Sequence, residues 1–222
     1  NEAERHRVRA GAEAETARQT TRFMVDLFKV SDPSEALGNT ITAREILDKG
    51  ASRIDKELDD QPATQATLMD TMGAVYTSLG LYESAVPLVR KAYERRLQLW
   101  GTLHPETASS LNHLGTVLTL RSDYDEAEKR LREALAARKS LFGPEAPQVA
   151  ETLMALAGVL DRQGKYPQGE PLIREALAIR RKQHGANKAH PEIASSIENL
   201  GLNFYARGEY DKAVEQLREA AA

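Results

Sequence analysis

Four copies of one pattern lie along this chain, and their spacing limits its fold more than any other feature. One copy reads Leu111-Asn-His-Leu-Gly115-Thr-Val-Leu118, a polar turn ending in Asp123-Tyr124, then a charged stretch from Glu126 to Ala134. Gly73, Gly115, Ala157 and Gly201 hold one equivalent place, at spacings of 42, 42 and 44 residues. A period in this range predicts stacked units that bury their apolar faces on one another, not a single closed core.

Each unit predicts two helices. The first carries apolar or small residues at four recurring places: Met69, Met72, Gly73, Tyr76; Leu111, Leu114, Gly115, Leu118; Leu153, Leu156, Ala157, Leu160; Ile197, Leu200, Gly201, Phe204. Offsets of 3, 4 and 7 put them on one helical face. A turn follows at Gly80-Leu-Tyr82, Ser122-Asp-Tyr124, Gly164-Lys-Tyr166 and Gly208-Glu-Tyr210. Glycine there can take the left-handed conformation that stops a helix. The second helix carries a small residue (Ala85, Ala127, Gly169, Ala213), a large apolar one four on (Val89, Leu131, Ile173, Leu217), then alanine (Ala92, Ala134, Ala176, Ala220). Pro167 and Pro171 are expected in the first turn of their helix, where N–H groups lack partners anyway. Pro87 is expected at the margin of that turn, in a helix beginning at Glu83 or Ser84. Gly101, Gly143 and Gly185 close the second helices, and Pro105, Pro147 and Pro191 open the next units. Arg95, Arg96, Arg138, Lys139, Arg180, Arg181 and Lys182 are read as complementing the helix dipole.

Before the regular units, residues 1–30 read as a lead-in helix rich in Ala, Arg and Glu, ending in Phe23, Met24, Leu27 and Phe28 at helical spacing. Ser31 to Asn39 reads as a loop. Thr42 can cap a helix with Ile46, Leu47, Ala51, Ile54 and Leu58 on its apolar side. Residues 31–63 are therefore a degenerate first repeat, and 64–222 hold four units.

Composition closes off several alternatives. The 222 residues are 41% hydrophobic, enough for a core, and contain no cysteine, which excludes disulfides and thiolate metal sites. A net charge of −3 provides no overall basic field for nucleic acid. No apolar run approaches the ~20 residues that cross a bilayer, and no signal peptide is visible. Asn1 in place of Met implies a fragment of a longer protein.

The small eighth residue, the Gly-x-Tyr turn and the alanines at the twentieth and twenty-seventh places resemble the tetratricopeptide repeat (TPR). The 42-residue period, the extended second helix and the His104-Pro105-Glu106 and His190-Pro191-Glu192 connectors look like the kinesin-light-chain type. A second resemblance covers Phe23-Met-Val-Asp-Leu-Phe28, Ser31-Asp-Pro33, Ile41-Thr-Ala-Arg-Glu-Ile-Leu-Asp48, Gly50-Ala51 and Gln65-Ala-Thr-Leu-Met-Asp-Thr-Met-Gly73. It is to the segment joining bacterial serine/threonine protein kinases to a C-terminal TPR array. That implies context, since no kinase catalytic motif is present.

No motif for chemistry emerges. The five histidines (His6, His104, His113, His184, His190) share no ligand spacing. His184 and His190 flank a loop and could meet a metal, but His104 has no such partner in its own unit, and all three are read as ordinary connector histidines. Gly164-Lys-Tyr-Pro-Gln-Gly169 lacks the Gly-Lys-Ser/Thr of a phosphate loop. No Gly-x-Ser-x-Gly is present.

The informative surface is one flank of each first helix. Places five, nine and twelve of the unit project roughly 100–150° from the buried stripe at 3.6 residues per turn. They are Asp70, Ala74, Thr77; Asn112, Thr116, Thr119; Met154, Gly158, Asp161; and Glu198, Leu202, Tyr205. The TPR resemblance implies that this flank lines a concave groove for extended peptides. Asn112 occupies a place where kinesin-light-chain repeats hold peptide backbone with asparagine, and Asn199 the adjacent place. His113 and Thr71 depart from that pattern. None of the twelve is Lys or Arg, so the clamp that some TPRs use for a C-terminal carboxylate is missing. Asp70, Asp161, Glu198 and Glu151 make the groove neutral to acidic.

The resulting expectation is an all-α, right-handed α-solenoid of about ten helices. It binds basic or neutral protein segments and needs no cofactor, metal or nucleic acid. It performs no catalysis, and belongs to the regulatory or sensory part of a bacterial signalling protein such as a kinase. A stand-alone adaptor and a self-assembling module are the alternatives. The former implies a cytoplasmic setting, and attachment to a membrane-spanning kinase an extracytoplasmic one. The Arg5, Arg7, Arg9 cluster suggests homodimerisation, with the N-terminal helix in a neighbouring groove.

Overall fold

The computed structural model describes residues 4, 11, 14–23, 25, 42–58, 60–185 and 190–220. Arg5, Arg7, Arg9, Met24, Leu27, Phe28 and the expected loop at 31–39 lie outside the described residues. Residues 14–23 are helical (α1). The helices that follow are α2 (Ala43–Glu57), α3 (Pro62–Ser78), α4 (Tyr82–Trp100), α5 (Pro105–Leu120), α6 (Tyr124–Phe142), α7 (Pro147–Arg162), α8 (Tyr166–His184), α9 (Pro191–Ala206) and α10 (Tyr210–Ala220). No strand occurs among the described residues. The chain forms two compact units, Asn1–Gly101 and Thr102–Ala222.

In the first unit, Thr42 caps α2 as its sequence implies. The Glu45 amide donates to the Thr42 hydroxyl at 3.2 Å, and the Thr42 amide donates to the Glu45 carboxylate at 2.8 Å. This reciprocal box satisfies two amides that the first helical turn otherwise leaves unpaired. The Thr42 amide, and then the Thr42 hydroxyl donating to the same carboxylate oxygen at 3.0 Å, hold the Glu45 carboxyl below the usual carboxylate range. α1 touches the regular repeat through the Thr64 hydroxyl, which donates to Gln19 at 2.8 Å. Phe23 is buried, with the Arg53 guanidinium 5.6 Å from its ring centre. α3 buries Leu68, Met69, Met72 and Tyr76. The Tyr76 hydroxyl donates to Asp48 of α2 at 2.5 Å, and burial, then this bond, pushes the phenol above its ordinary range. α3 and α4 approach closely because place eight is Gly73: a Cβ there would lie 2.4 Å from Val89 Cγ2.

The second unit stacks three antiparallel pairs, α5/α6, α7/α8 and α9/α10. Its apolar layers are shared between successive pairs. Val149, Ala150, Leu153, Ala176 and Ile179 form one cluster, Ala157, Ile173, Leu200, Phe204 and Ala213 the next, and Leu177, Ile193 and Ile197 a third. Burial of such faces, at about 25 cal/mol per Å² of apolar surface, is the main source of stability, because helices of this length are marginal in water without a packed face. Three turn glycines, including Gly164 at φ 73°, adopt the expected left-handed backbone, and Ser122 adopts it at φ 74° without being glycine. Outer charges tie second helices across successive pairs: Lys139 to Glu175 at 2.7 Å and, at the equivalent places, Arg181 to Glu219 at 2.9 Å.

Two sequence expectations need correction. α4 begins at Tyr82, not Glu83 or Ser84, so Pro87 lies within the helix. Pro171 likewise lies inside α8, beyond its first turn, whereas Pro167 is at the expected start. The two prolines occupy equivalent places in their units. Each removes a donor whose acceptor, four residues earlier, belongs to exposed Glu83 or Pro167, where solvent can satisfy the freed carbonyl.

Lys139, Arg181 and Lys182 fall in the last turns of α6 and α8 as expected, but three of the arginines read as dipole partners, Arg96, Arg138 and Arg180, do a different job. Arg138 is 4% exposed, and its Nη1 donates to the Gln148 carbonyl and the Thr152 hydroxyl, both at 2.8 Å. Arg180 repeats this one pair further on, donating to the Glu192 carbonyl at 3.0 Å and the Ser196 hydroxyl at 2.7 Å. Each guanidinium thus clamps the first turn of the next first helix. Burial pulls both guanidinium pKa values down, opposed by nearby glutamates. Arg96, in the first unit, is equally buried and donates to Asp70 at 2.7 Å.

Candidate functional site

The flank defined by places five, nine and twelve divides into residues that face solvent and residues spent on the scaffold. The threonines belong to the second kind. Thr77, Thr116 and Thr119 each donate to the carbonyl four residues earlier, at 2.7, 3.0 and 2.8 Å. Their hydroxyl protons are therefore engaged along their own helices, leaving oxygen lone pairs outward. Asp70 holds Arg96.

Asn112 is 5% exposed, and its side-chain amide donates to Glu151 at 3.1 Å. The other oxygen of Glu151 accepts from Arg138 at 3.1 Å. α5, α6 and α7 thus converge on one carboxylate that itself stays 59% exposed. What a ligand meets at this point is Glu151, with Asn112 behind it. The Asn112 side-chain oxygen, Oδ1, is buried without a hydrogen-bond partner, an acceptor that the fold leaves unused. His113 is partly buried beside Asn112.

Asp161, at place twelve of the next unit, accepts from the buried Asn203 amide at 2.9 Å. Asn203 also donates to the Tyr166 carbonyl at 2.9 Å, joining α9 to the α7–α8 turn. The pair explains why place twenty is Gly169 here and alanine elsewhere. A Cβ on Gly169 would stand 3.0 Å from Asp161 Oδ1 and 3.3 Å from Asn203 Nδ2. Burial raises the Asp161 carboxyl above the usual range, and the Asn203 bond offsets part of that rise.

A carboxyl whose folded pKa exceeds its unfolded value stabilises the fold when protonated. That contribution is present below the unfolded pKa and is lost as pH rises through the folded one. Asp161→Asn keeps an acceptor oxygen for Asn203 and removes the buried charge. The variant is expected to gain stability relative to the parent chain as pH rises from about 4 to 7, the interval above the ordinary carboxylate value. Urea midpoints across that interval measure it, and identical pH profiles would contradict it.

Farther along α9, Glu198 and Tyr205 are exposed, the latter packed edge-on against Tyr210 with ring centres 5.5 Å apart. Asn199 turns its amide back to the Ser195 carbonyl at 2.7 Å. Beside Glu151 a cavity of about 270 Å³ opens between α7, α8 and α9, lined by Pro147, Gln148, Glu151, Arg180, Gln183 and Glu192. Glu192 is 52% exposed. The two carboxylates flank the Arg180 guanidinium, whose Nη1 is already committed to the α9 first turn. The cavity was not legible in advance, because Arg180, Gln183 and Glu192 come from outside the flank.

Among the described residues one group has metal-ligating composition, His184, His190 and Glu192, at the α8–α9 connector. No helix among them is long and apolar enough to cross a membrane.

A family model described as tetratricopeptide repeat matches overlapping stretches 63–140, 106–182 and 148–222. No curated protein sequence matches significantly. Among solved structures, BtubC (BKLC) from P. vanneervenii aligns over 99% of this chain and 87% of its own, with a TM-score of 0.70 and 18% identity. A putative kinesin light chain from Podosopora anserina with nearly identical TPR-like repeats aligns over 97% and 93%, with a TM-score of 0.65 and 18% identity. A Rap protein complexed with competence and sporulation factor aligns over 80% of this chain and 48% of its own, with a TM-score of 0.62 and 17% identity.

Proposed function

The chain belongs to the tetratricopeptide repeat family, a protein-interaction scaffold fold, and from that premise we propose that residues 102–222 bind an extended, basic or uncharged protein segment along the flank of α5, α7 and α9. The observation that carries this reading is Glu151. Asn112 and Arg138 fix its carboxylate in place, yet it remains largely open to solvent. A preorganised exposed carboxylate is a ready acceptor for a cation or a peptide amide. Glu192 at the neighbouring cavity and Glu198 on α9 extend the same sign of charge. Tyr205 and the partly exposed His113 and Asn199 supply further surface, the outward lone pairs of Thr116 and Thr119 offer acceptors, and Asn112 and Asp161 support the flank from behind. In the first unit, Asp70 and Thr77 offer the corresponding places.

Fluorescence anisotropy with labelled Lys-rich, neutral and Glu-rich peptides tests the reading. The basic peptide is expected to bind best, and Glu151→Gln with Glu198→Gln to weaken it about tenfold, equivalent to about 1.4 kcal/mol. Strongest binding by the acidic peptide, abolished by salt, would overturn it.

The proposed setting is the regulatory or sensory part of a signalling protein such as a bacterial serine/threonine kinase. Its support is the resemblance of the stretches between Phe23 and Gly73 to the segment linking such kinases to TPR arrays. The coding sequence upstream of Asn1 tests it: a kinase catalytic loop is the expected finding, and an initiator Met immediately upstream would favour a stand-alone adaptor. The Rap structure, determined with a bound factor, is a precedent for ligand capture by this kind of fold. Homodimerisation through residues 1–22 remains part of the proposal, read out by the mass of the chain with and without them.

A further inference from the structure

We propose that His184, His190 and Glu192 form a Zn²⁺-binding site that bridges the last turn of α8 and the first turn of α9. One ligand atom from each of the three lies within 4.8 Å of the others. The His184 and His190 rings stack, with centres 3.7 Å apart and planes 12° from parallel. His184 Nε2 is 3.0 Å from Glu192 Oε2.

A second observation separates this group from an ordinary connector. His104 and His190 occupy the same kind of place, immediately before Pro and Glu at the start of a first helix. The His104 ring has a structural task, since its Nδ1 accepts the Glu106 amide at 3.3 Å and so caps α5. His190 makes no such side-chain cap on α9. Its Nδ1 is buried and has no hydrogen-bond partner. A buried imidazole nitrogen without a partner is unusual in a folded protein, and metal coordination is a standard use of one.

The histidine across the connector is also particular to this junction. Trp100 and Phe142 hold the place of His184 in the two preceding second helices. Only here does the repeat bring two imidazoles and a carboxylate together among the described residues.

Two imidazoles and a carboxylate suit Zn²⁺, which binds His nitrogen at about 2.0–2.1 Å and carboxylate oxygen at about 2.0–2.2 Å. Tetrahedral geometry at those lengths places ligand atoms about 3.4 Å apart. His184 is 32% exposed and Glu192 52% exposed, so both side chains are free to rotate the short distance required. Three protein ligands leave a fourth position for water or for a group on a bound partner. The ion would staple the two helices across the connector, and it would act on the folded chain alone, because the ligands converge only there.

The test is titration of the full chain with ZnCl₂, followed by calorimetry and by the histidine imidazole NMR signals. Expected are one saturable site in the micromolar range, displacement of the His184 and His190 signals, and a melting temperature that rises with Zn²⁺. His184→Ala, His190→Ala and Glu192→Gln are each expected to weaken the site at least tenfold, while His104→Ala leaves it unchanged. Absence of saturable binding below about 1 mM, a value corresponding to only weak association, would overturn the proposal. So would binding that survives in the His184→Ala, His190→Ala double variant, since the ion would then sit elsewhere. The proposal does not depend on the peptide reading: Zn²⁺ binding is measured without peptide, and neither Glu151 nor Glu198 takes part in it.

Discussion

Leu156→Ala is expected to destabilise the chain by about 2–5 kcal/mol, the range for removing a fully enclosed leucine side chain. Leu156 is 0% exposed and lies one residue before Ala157, in the stripe that recurs in every first helix. The lost methyl groups forfeit transfer energy. The helices around them are held by turns on either side, so the cavity closes only in part. Leu202, on the same kind of helix but 51% exposed, is the control, and Leu202→Ala should change stability by no more than about 0.5 kcal/mol. Urea denaturation of both variants decides the matter. A cost under about 1 kcal/mol for Leu156→Ala would mean that the stripe does not carry the core.

Gly115→Val is expected to cost about 3 kcal/mol, at the upper end for overpacking. A Cβ at Gly115 would stand 2.6 Å from Leu131 Cγ and 2.9 Å from its Cδ2. Two further methyl groups deepen the clash at the crossing of α5 and α6. Helix propensity moves the other way, by under about 1 kcal/mol, because glycine is a poor helix former. The crossing therefore decides the sign. Leu131→Ala opens the same space, so the double variant should be less damaged than the two single costs combined, by about 1 kcal/mol or more. Simple additivity in a double-mutant cycle would show that the two side chains do not compete.

The hairpins were legible because the sequence states them four times. A stripe at offsets 3, 4 and 7 is weak evidence in one helix. Repeated at one place in four units, with a turn at constant distance, it leaves little freedom. The helix starts at Pro105, Pro147 and Pro191 follow from the same repetition. Pro87 and Pro171 were misplaced because a proline beyond the first turn is tolerated only where the freed carbonyl meets solvent, and exposure is a property of the stack.

Partner choice was illegible for a related reason. Arg138 and Arg180 advertise a charge near a helix end, which fits a dipole partner as well as a clamp. The direction of the guanidinium depends on the next hairpin. Asn112 shows the same limit. Its place on the flank could be read, but the donation of its amide to Glu151, 39 residues on, arises from the neighbouring unit. The recurrence of arginine at 96, 138 and 180, one period apart, was the available signal that these residues serve the repeat.

The arginine clamp also bears on how such a chain can change length over generations. Its two halves lie in adjoining hairpins, 14 residues apart for Arg138 and Thr152 and 16 for Arg180 and Ser196. A duplicated 42-residue block therefore inherits a donor at its trailing edge and an acceptor at its leading edge. Each new joint would mate with its neighbours from the first copy onward, without waiting for compensating substitutions.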